Sequence, residues 1–143
     1  VKAGQALSTR FRWVGGTEEE RKRHGNSVTL EAAVPHAAIE DILKQAAVLV
    51  LPLGNNSFSH RFTSPLKLWD YLATDRPIVA ARTDAIDEIC THTSSHVFHY
   101  EPENIDSIQH AIHSALQAPP RTPFRRTWST RAKELTQMMH AIS

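Results

Sequence analysis

The sequence predicts an α/β domain in which a mostly parallel sheet of about five strands is flanked by helices, with a further helix at the C-terminus. Strand-like and helix-like segments alternate along the chain, which is typical of βαβ units. Residues 47–51 are all apolar and end at Pro52, as expected for a strand buried on both faces of a parallel sheet. The length of 143 residues suits one domain over 1–143.

The remaining elements follow from shorter patterns of the same two kinds. Four more apolar segments bounded by glycine, proline or polar residues predict strands at 11–14, 28–31, 77–81 and 96–100. Helices are predicted from Thr17 onward, where three glutamates occupy the first turn, and over 35–45, 64–74, 84–90, 102–117 and 125–142. Ligands of such sheets bind at the carboxyl ends of the strands, so function is expected in the loops that follow them.

Composition narrows the classes of protein and partner. Sixteen Lys and Arg against fifteen Asp and Glu leave a net charge of +1, which argues against a nucleic-acid partner. The single cysteine, Cys90, excludes an internal disulfide and suits a reducing compartment, so a cytoplasmic location is expected. The longest apolar run, 46–53, is far shorter than the ~20 residues that a membrane-spanning helix needs.

The segment 51–81 contains the most informative polar residues. A long loop follows the apolar strand and leads to Ser64 and Pro65, which are preferred at the N-cap and the first position of a helix. Backbone N–H groups at such a helix start can bind a phosphate. Lys67 lies in the first turn, against the helix-dipole preference, and a bound anion would remove that conflict. Asp70 is three residues further on and can share its face, where it could accept hydrogen bonds from ribose hydroxyls.

This segment resembles a motif of the two-domain nucleotide-sugar glycosyltransferases of GT-B fold, especially the retaining group 1, family 4 enzymes. Residues 64–71 read SPLKLWDY and residues 75–80 read DRPIVA, close to the family's SPLK helix and its following GKPIVA strand. Weaker similarities lie in the glycine turn at 14–16, in 28–30 followed by 34–35, and in 128–132. The resemblance implies a Rossmann-like domain that forms the C-terminal, donor-binding half of such an enzyme.

The resemblance also implies the roles of individual residues. The donor is a nucleotide diphosphate sugar, which is a substrate, so neither a cofactor nor a metal is expected. Lys67 and Arg61 are the candidate catalytic residues that stabilise the departing diphosphate. The backbone around Ala33 and Val34 meets the base, and Asp70 holds the ribose. The residues expected beside the diphosphate are Gly15, Gly16, Ser64, Pro65, Leu66 and Lys67.

The sequence also departs from the family pattern. The family has two glutamates separated by seven residues; Asp70 takes the second place, but the first falls near Phe62. The family's enzymes also have a central strand with a cationic loop, and an N-terminal acceptor-binding domain. Both of these parts would precede Val1. The expected function is therefore the donor-binding half of a transferase in cell-envelope or exopolysaccharide synthesis, with a peripheral membrane contact allowed at the inner face. The alternative is a truncated or degenerate domain that acts by protein contacts.

Several residues have simpler interpretations that stay open at this point. Ser64 and Pro65 also suit an ordinary helix start, and Asp70 could simply pair with Lys67 or Arg76. A cluster of Cys90 with nearby histidines allows a zinc site, although no HExxH or CxxC motif is present. The basic stretch 121–133 could bind nucleic acid or an anionic membrane, or be a helix that docks through Phe124 and Trp128 with its arginines in solvent.

Overall fold

The computed structural model describes residues 10–24, 28–52, 66–125 and 127–142. These residues form five strands and six helices in alternating order, with one 3₁₀ turn at His36–Ala38. The strands are β1 (Arg12–Val14), β2 (Thr29–Glu31), β3 (Leu49–Leu51), β4 (Ile78–Ala81) and β5 (Phe98–Tyr100). The helices are α1 (Glu18–His24), α2 (Ile39–Lys44), α3 (Leu66–Leu72), α4 (Asp84–Thr93), α5 (Ile105–Leu116) and α6 (Trp128–Ile142).

All strand pairs are parallel, and they fall into two sheets. β1 pairs with β2, with Trp13 opposite Leu30. The second sheet has the order β3-β4-β5, in which Val50 lies opposite Val79 and Val79 lies opposite Phe98. Each connection between consecutive paired strands in the described residues carries a helix, as parallel pairing requires. The predicted α/β class with a mostly parallel sheet, flanking helices and a C-terminal helix is therefore confirmed.

Strand β4 lies at the centre of the core, and its alternate residues point to opposite faces. Ile78 and Ala80 belong to a cluster that includes Leu68 and Leu72 of α3. Val79 and Ala81 belong to a second cluster, which includes residues of α5. All four β4 residues are fully buried, because helices cover both faces of the sheet.

Four helices start with side-chain caps that the sequence provides; at the start of α6 the Thr127 hydroxyl accepts from the Thr130 N–H at 3.1 Å. In α1, the Glu20 N–H donates to the Thr17 hydroxyl at 3.2 Å while the Thr17 N–H donates to the Glu20 carboxylate at 2.8 Å, which forms a capping box. The Asn104 side chain accepts from the Ser107 N–H at 2.9 Å at the start of α5. Thr83 accepts from the Ile86 N–H at 3.3 Å and caps α4. These caps satisfy N–H groups that no helical carbonyl reaches.

Residues 121–125, called here the C-terminal strap, fold back across the end of α3. The Arg121 N–H donates to the Asp75 carbonyl at 2.8 Å, and the Phe124 N–H donates to the Leu72 carbonyl at 2.7 Å. The Phe124 ring lies 6.3 Å from the Trp69 ring, so the docking predicted for Phe124 is confirmed. The Trp128 side chain lies outside the described part of the structure.

The expectation that the arginines of the basic stretch lie in solvent is wrong for Arg121. Its guanidinium donates to the carbonyls of Tyr71 and Arg76, each at 3.1 Å, and to the carbonyl of Leu72. Burial lowers the pKa of Arg121. Arg125 also has a partner, the carboxylate of Glu40 on α2. Both arginines therefore attach the C-terminal strap to the domain.

Candidate functional site

The residues predicted to bind the donor follow the carboxyl ends of three parallel strands. Gly15 and Gly16 come directly after β1, and Ala33 and Val34 come directly after β2. Helix α3 is the next described element after β3. The predicted Arg61, Ser64 and Pro65 come between the two in the sequence and lie outside the described residues.

The two glycines after β1 are required for different reasons. Gly15 has a φ of +91°, which strains any residue with a side chain, and its N–H donates to the Glu31 carbonyl at 3.1 Å. Gly16 is packed against β2, since a Cβ added there would lie 2.8 Å from a methyl group of Leu30. The turn can therefore follow the end of β1 closely, and a backbone without side chains is what a bound diphosphate could approach.

Helix α3 presents one apolar face to the sheet and one polar face outward. Leu68 is fully buried, whereas Leu66 at the start of the helix is 75% exposed. Lys67 is exposed and Asp70 is partly exposed. With a spacing of three residues, these two side chains lie on neighbouring positions of the outward face.

The ion pairs that would give Asp70 a purely structural role do not form among the described residues. Within this part of the chain Lys67 has neither a hydrogen bond nor an ion pair. The guanidinium of Arg76 pairs instead with its neighbour Asp75, at 3.2 Å. Both charged groups on the outward face of α3 therefore have capacity for a ligand.

Asp70 does lie near one polar side chain, and it comes from the segment that follows β2. The His36 Nε2 atom lies 3.7 Å from the Asp70 Oδ1 atom. His36 follows Val34 and Pro35, the segment predicted to meet the base. The structure thus brings the predicted base-binding and ribose-binding segments to the same edge. His36 was not among the residues predicted from the sequence, and only its position directly after the predicted base-binding residues could have indicated it.

Tyr71 fixes the orientation of α3 on the sheet. Its hydroxyl donates to the Val50 carbonyl of β3 at 3.3 Å. Burial is the main cause that raises the pKa of Tyr71, and the neighbouring carboxylate of Asp70 adds to it. This hydrogen bond holds the helix in one rotation about its axis, which keeps Lys67 and Asp70 directed away from the sheet.

Helix α2, directly after His36, is tied to the C-terminal strap through Glu40. The Glu40 carboxylate lies 2.9 Å from the Lys44 ammonium and also pairs with Arg125. Hydrogen bonds from Lys44 and then Arg125 lower the pKa of Glu40 from 4.5 to about 2. Helix α2 and the C-terminal strap therefore meet through Glu40.

The ion pairs of Glu40 predict that the stability of the fold decreases in acid over a defined pH range. Because the folded-state pKa of Glu40 is below its unfolded value, its stabilising effect is present above about pH 4.5 and is lost as the pH falls toward 2. We expect Arg125→Gln to raise the pKa of Glu40, as measured by carboxyl NMR titration. Arg82→Gln, which removes a cation paired with Glu101 instead, is the matched control. An unchanged Glu40 pKa in Arg125→Gln would contradict the contact.

Other chemistries find no support in the described residues. No three His, Cys, Asp or Glu side chains of this part of the chain are grouped to hold a metal ion. Cys90 is partly buried, and burial is the main cause that raises its pKa to about 11, so the thiolate form is disfavoured. None of the helices searched over the described residues could cross a bilayer.

The fold is that of a Rossmann-like α/β domain, because its strands are parallel and are connected by helices. Glycine, lysine and aspartate residues lie in the segments that follow the strands. Over residues 1–118 the sequence matches the family described as Glycosyl transferases group 1. The chain therefore belongs to the group 1 glycosyltransferases. A comparison with curated proteins gives no match.

Proposed function

We propose that this chain is the donor-binding half of a glycosyltransferase that transfers a sugar from a nucleotide diphosphate sugar to an acceptor hydroxyl. The observation that carries the proposal is the position of Asp70. It lies on the outward face of α3, one turn after Lys67, and 3.7 Å from His36 in the loop after β2. A nucleotide with its base at Ala33–Val34 and its ribose at Asp70 would lie across this edge, with its diphosphate toward Lys67.

The difficult step of this reaction is the departure of the diphosphate. The bond between the anomeric carbon and the diphosphate oxygen breaks, and the acceptor oxygen forms the new bond while giving up its proton. Negative charge therefore develops on the leaving diphosphate. Lys67, together with Arg61, would stabilise that charge, and fixed donors of this kind contribute roughly 3 kcal/mol each.

We propose further that the domain belongs to a two-domain GT-B enzyme with a strand between its two sheets. Within the described residues β1 pairs only with β2, and β3 pairs only with β4. Phe11, Val48 and Val50 all pack against the same buried cluster, which supports proximity of the two free edges. One inserted strand would join both sheets. Full activity would then also need the acceptor-binding domain.

The proposal predicts nucleotide binding that depends on the outward face of α3. UDP, GDP and ADP, each with and without a sugar, would be titrated calorimetrically into the chain. We expect one nucleotide to bind, and Lys67→Ala and Asp70→Asn each to weaken it roughly ten- to a hundred-fold, as the loss of a hydrogen bond to a charged group predicts.

Two exposed residues on other helices provide matched controls for this experiment. Lys133→Ala on α6 and Asp106→Asn on α5 remove the same charges elsewhere, and both should leave the affinity unchanged. Absence of binding for every nucleotide, or equal effects of the site and control variants, would overturn the proposal.

A second candidate function is a non-catalytic interaction module. It is favoured by Phe62 in the place of the family's first glutamate and by the edges of β1 and β3, which have no partner strand among the described residues. Such a module would bind a protein partner and no nucleotide sugar. Sugar transfer by the isolated chain would exclude it.

For the transferase function, the single cysteine favours a cytoplasmic location. We also propose that this transferase acts in cell-envelope or exopolysaccharide synthesis and contacts the inner face of the membrane.

A further inference from the structure

We propose that His36 is a positioning residue for the donor ribose, acting through Asp70. This inference rests on the proposed function and adds a residue to its site. The imidazole lies beside one oxygen of the Asp70 carboxylate, which leaves the other oxygen to accept hydroxyl groups of the sugar ring.

The environment of Asp70 supports this role. Its side chain is 39% exposed, and within the described residues no group donates a hydrogen bond to it. The His36 Nε2 atom is 3.7 Å from the Asp70 Oδ1 atom, beyond the range of a hydrogen bond. The carboxylate therefore has a neighbour on one side, while its remaining acceptor positions face no donor among the described residues.

The backbone that carries His36 is well defined by local structure. His36 is the first residue of the 3₁₀ turn, which is closed by a hydrogen bond from the Ala38 N–H to the Pro35 carbonyl at 2.9 Å. Pro35 fixes its own φ at −56°. The turn comes directly after Val34, so a base bound at this backbone would place the ribose close to the imidazole.

The imidazole has two functions in this arrangement. It limits the rotation of the Asp70 side chain, so that less freedom is lost when the ribose binds. Its N–H also offers a donor to the carboxylate once the bound sugar draws the two groups together. His36 is 86% exposed, so its removal should not disturb the core.

A double-mutant cycle on nucleotide affinity tests the proposal. The ligand is the nucleoside diphosphate that binds best to the unmodified chain, compared with its 2′,3′-dideoxy analogue. We expect His36→Ala to weaken nucleotide affinity about two- to five-fold, in line with a weak polar contact at an exposed position. His36→Asn, which retains a donor, should recover part of the affinity. His36→Ala should have no further effect in an Asp70→Asn background or on the dideoxy analogue.

The outcomes separate this inference from the proposed function. If the unmodified chain binds no nucleotide, both fail. If it binds but His36→Ala leaves the affinity unchanged, or weakens it equally in the Asp70→Asn background, only the role of His36 is overturned. His110→Ala, an exposed histidine on α5, is the matched control. Equal thermal unfolding of all variants shows that any loss of affinity is local.

Discussion

Replacing Leu68 by alanine is expected to lower the free energy of unfolding by about 2–5 kcal/mol, the range found for large cavities in well-packed cores. Leu68 is fully buried between α3 and the three-stranded sheet, in the cluster that contains Leu51 and Ile78. Helices cover both faces of that sheet, so the surrounding side chains have little room to fill the cavity. Urea unfolding followed by circular dichroism measures the change.

The same helix provides the control. Leu66 is 75% exposed, so Leu66→Ala removes the same atoms with little change in burial and should alter the unfolding free energy by less than ~0.5 kcal/mol. Similar losses for the two variants would show that α3 does not pack on the sheet by the face described. That result would also remove the basis for directing Lys67 and Asp70 outward.

Replacing Arg121 by methionine is expected to cost about 2–3 kcal/mol of unfolding free energy. Methionine preserves most of the side-chain volume but has no donors, so the Tyr71, Leu72 and Arg76 carbonyls lose a charged partner. Tyr71 and Leu72 are the last residues of α3. Their carbonyls keep the Thr74 and Phe124 N–H donors, so the variant removes only the bonds of the guanidinium. Hydrogen bonds to charged groups contribute more than neutral ones, although bonds made by one side chain do not add independently.

Arg82→Met is the matched control, because Arg82 forms an exposed ion pair with Glu101 at 3.2 Å and should cost less than ~1 kcal/mol. Arg121→Lys gives a second comparison. Lysine keeps the charge but lacks the planar fork of donors, so it should recover only part of the loss. A lysine variant as stable as the original chain would mean that charge alone, without the geometry of the guanidinium, accounts for the contact.

Much of the fold was predictable because its determinants are local. The apolar residues 47–51 and 77–81 predict buried strands, and β3 and β4 lie within these segments. The glutamates after Thr17 predict the start of α1. In α5 the apolar spacing predicts a buried side only in part, because Ile112 is buried whereas Ile105 and Leu116 are exposed. The division into two sheets was not predictable from these signals, since pairing depends on contacts between distant segments.

Some residues of the candidate site were likewise predictable from the sequence, and others were not. Gly15, Lys67 and Asp70 could be selected because glycine turns and helix starts have sequence patterns. For His36 the only sequence signal was its position after the predicted base-binding residues, because its neighbour Asp70 is on another element. Arg121 could not be selected, because its partners lie 45 to 50 residues away in the sequence. A basic side chain that supports a helix end looks, in sequence, the same as one in solvent.

The C-terminal strap also affects where this domain can be cut for recombinant expression. The family match stops at residue 118, but the backbone and side chain of Arg121 and the ring of Phe124 complete the packing around α3. A fragment trimmed at 118 would retain every described strand yet leave the end of α3 without those contacts. A fragment for expression should therefore extend beyond the homology boundary, to residue 125 and its ion pair with Glu40.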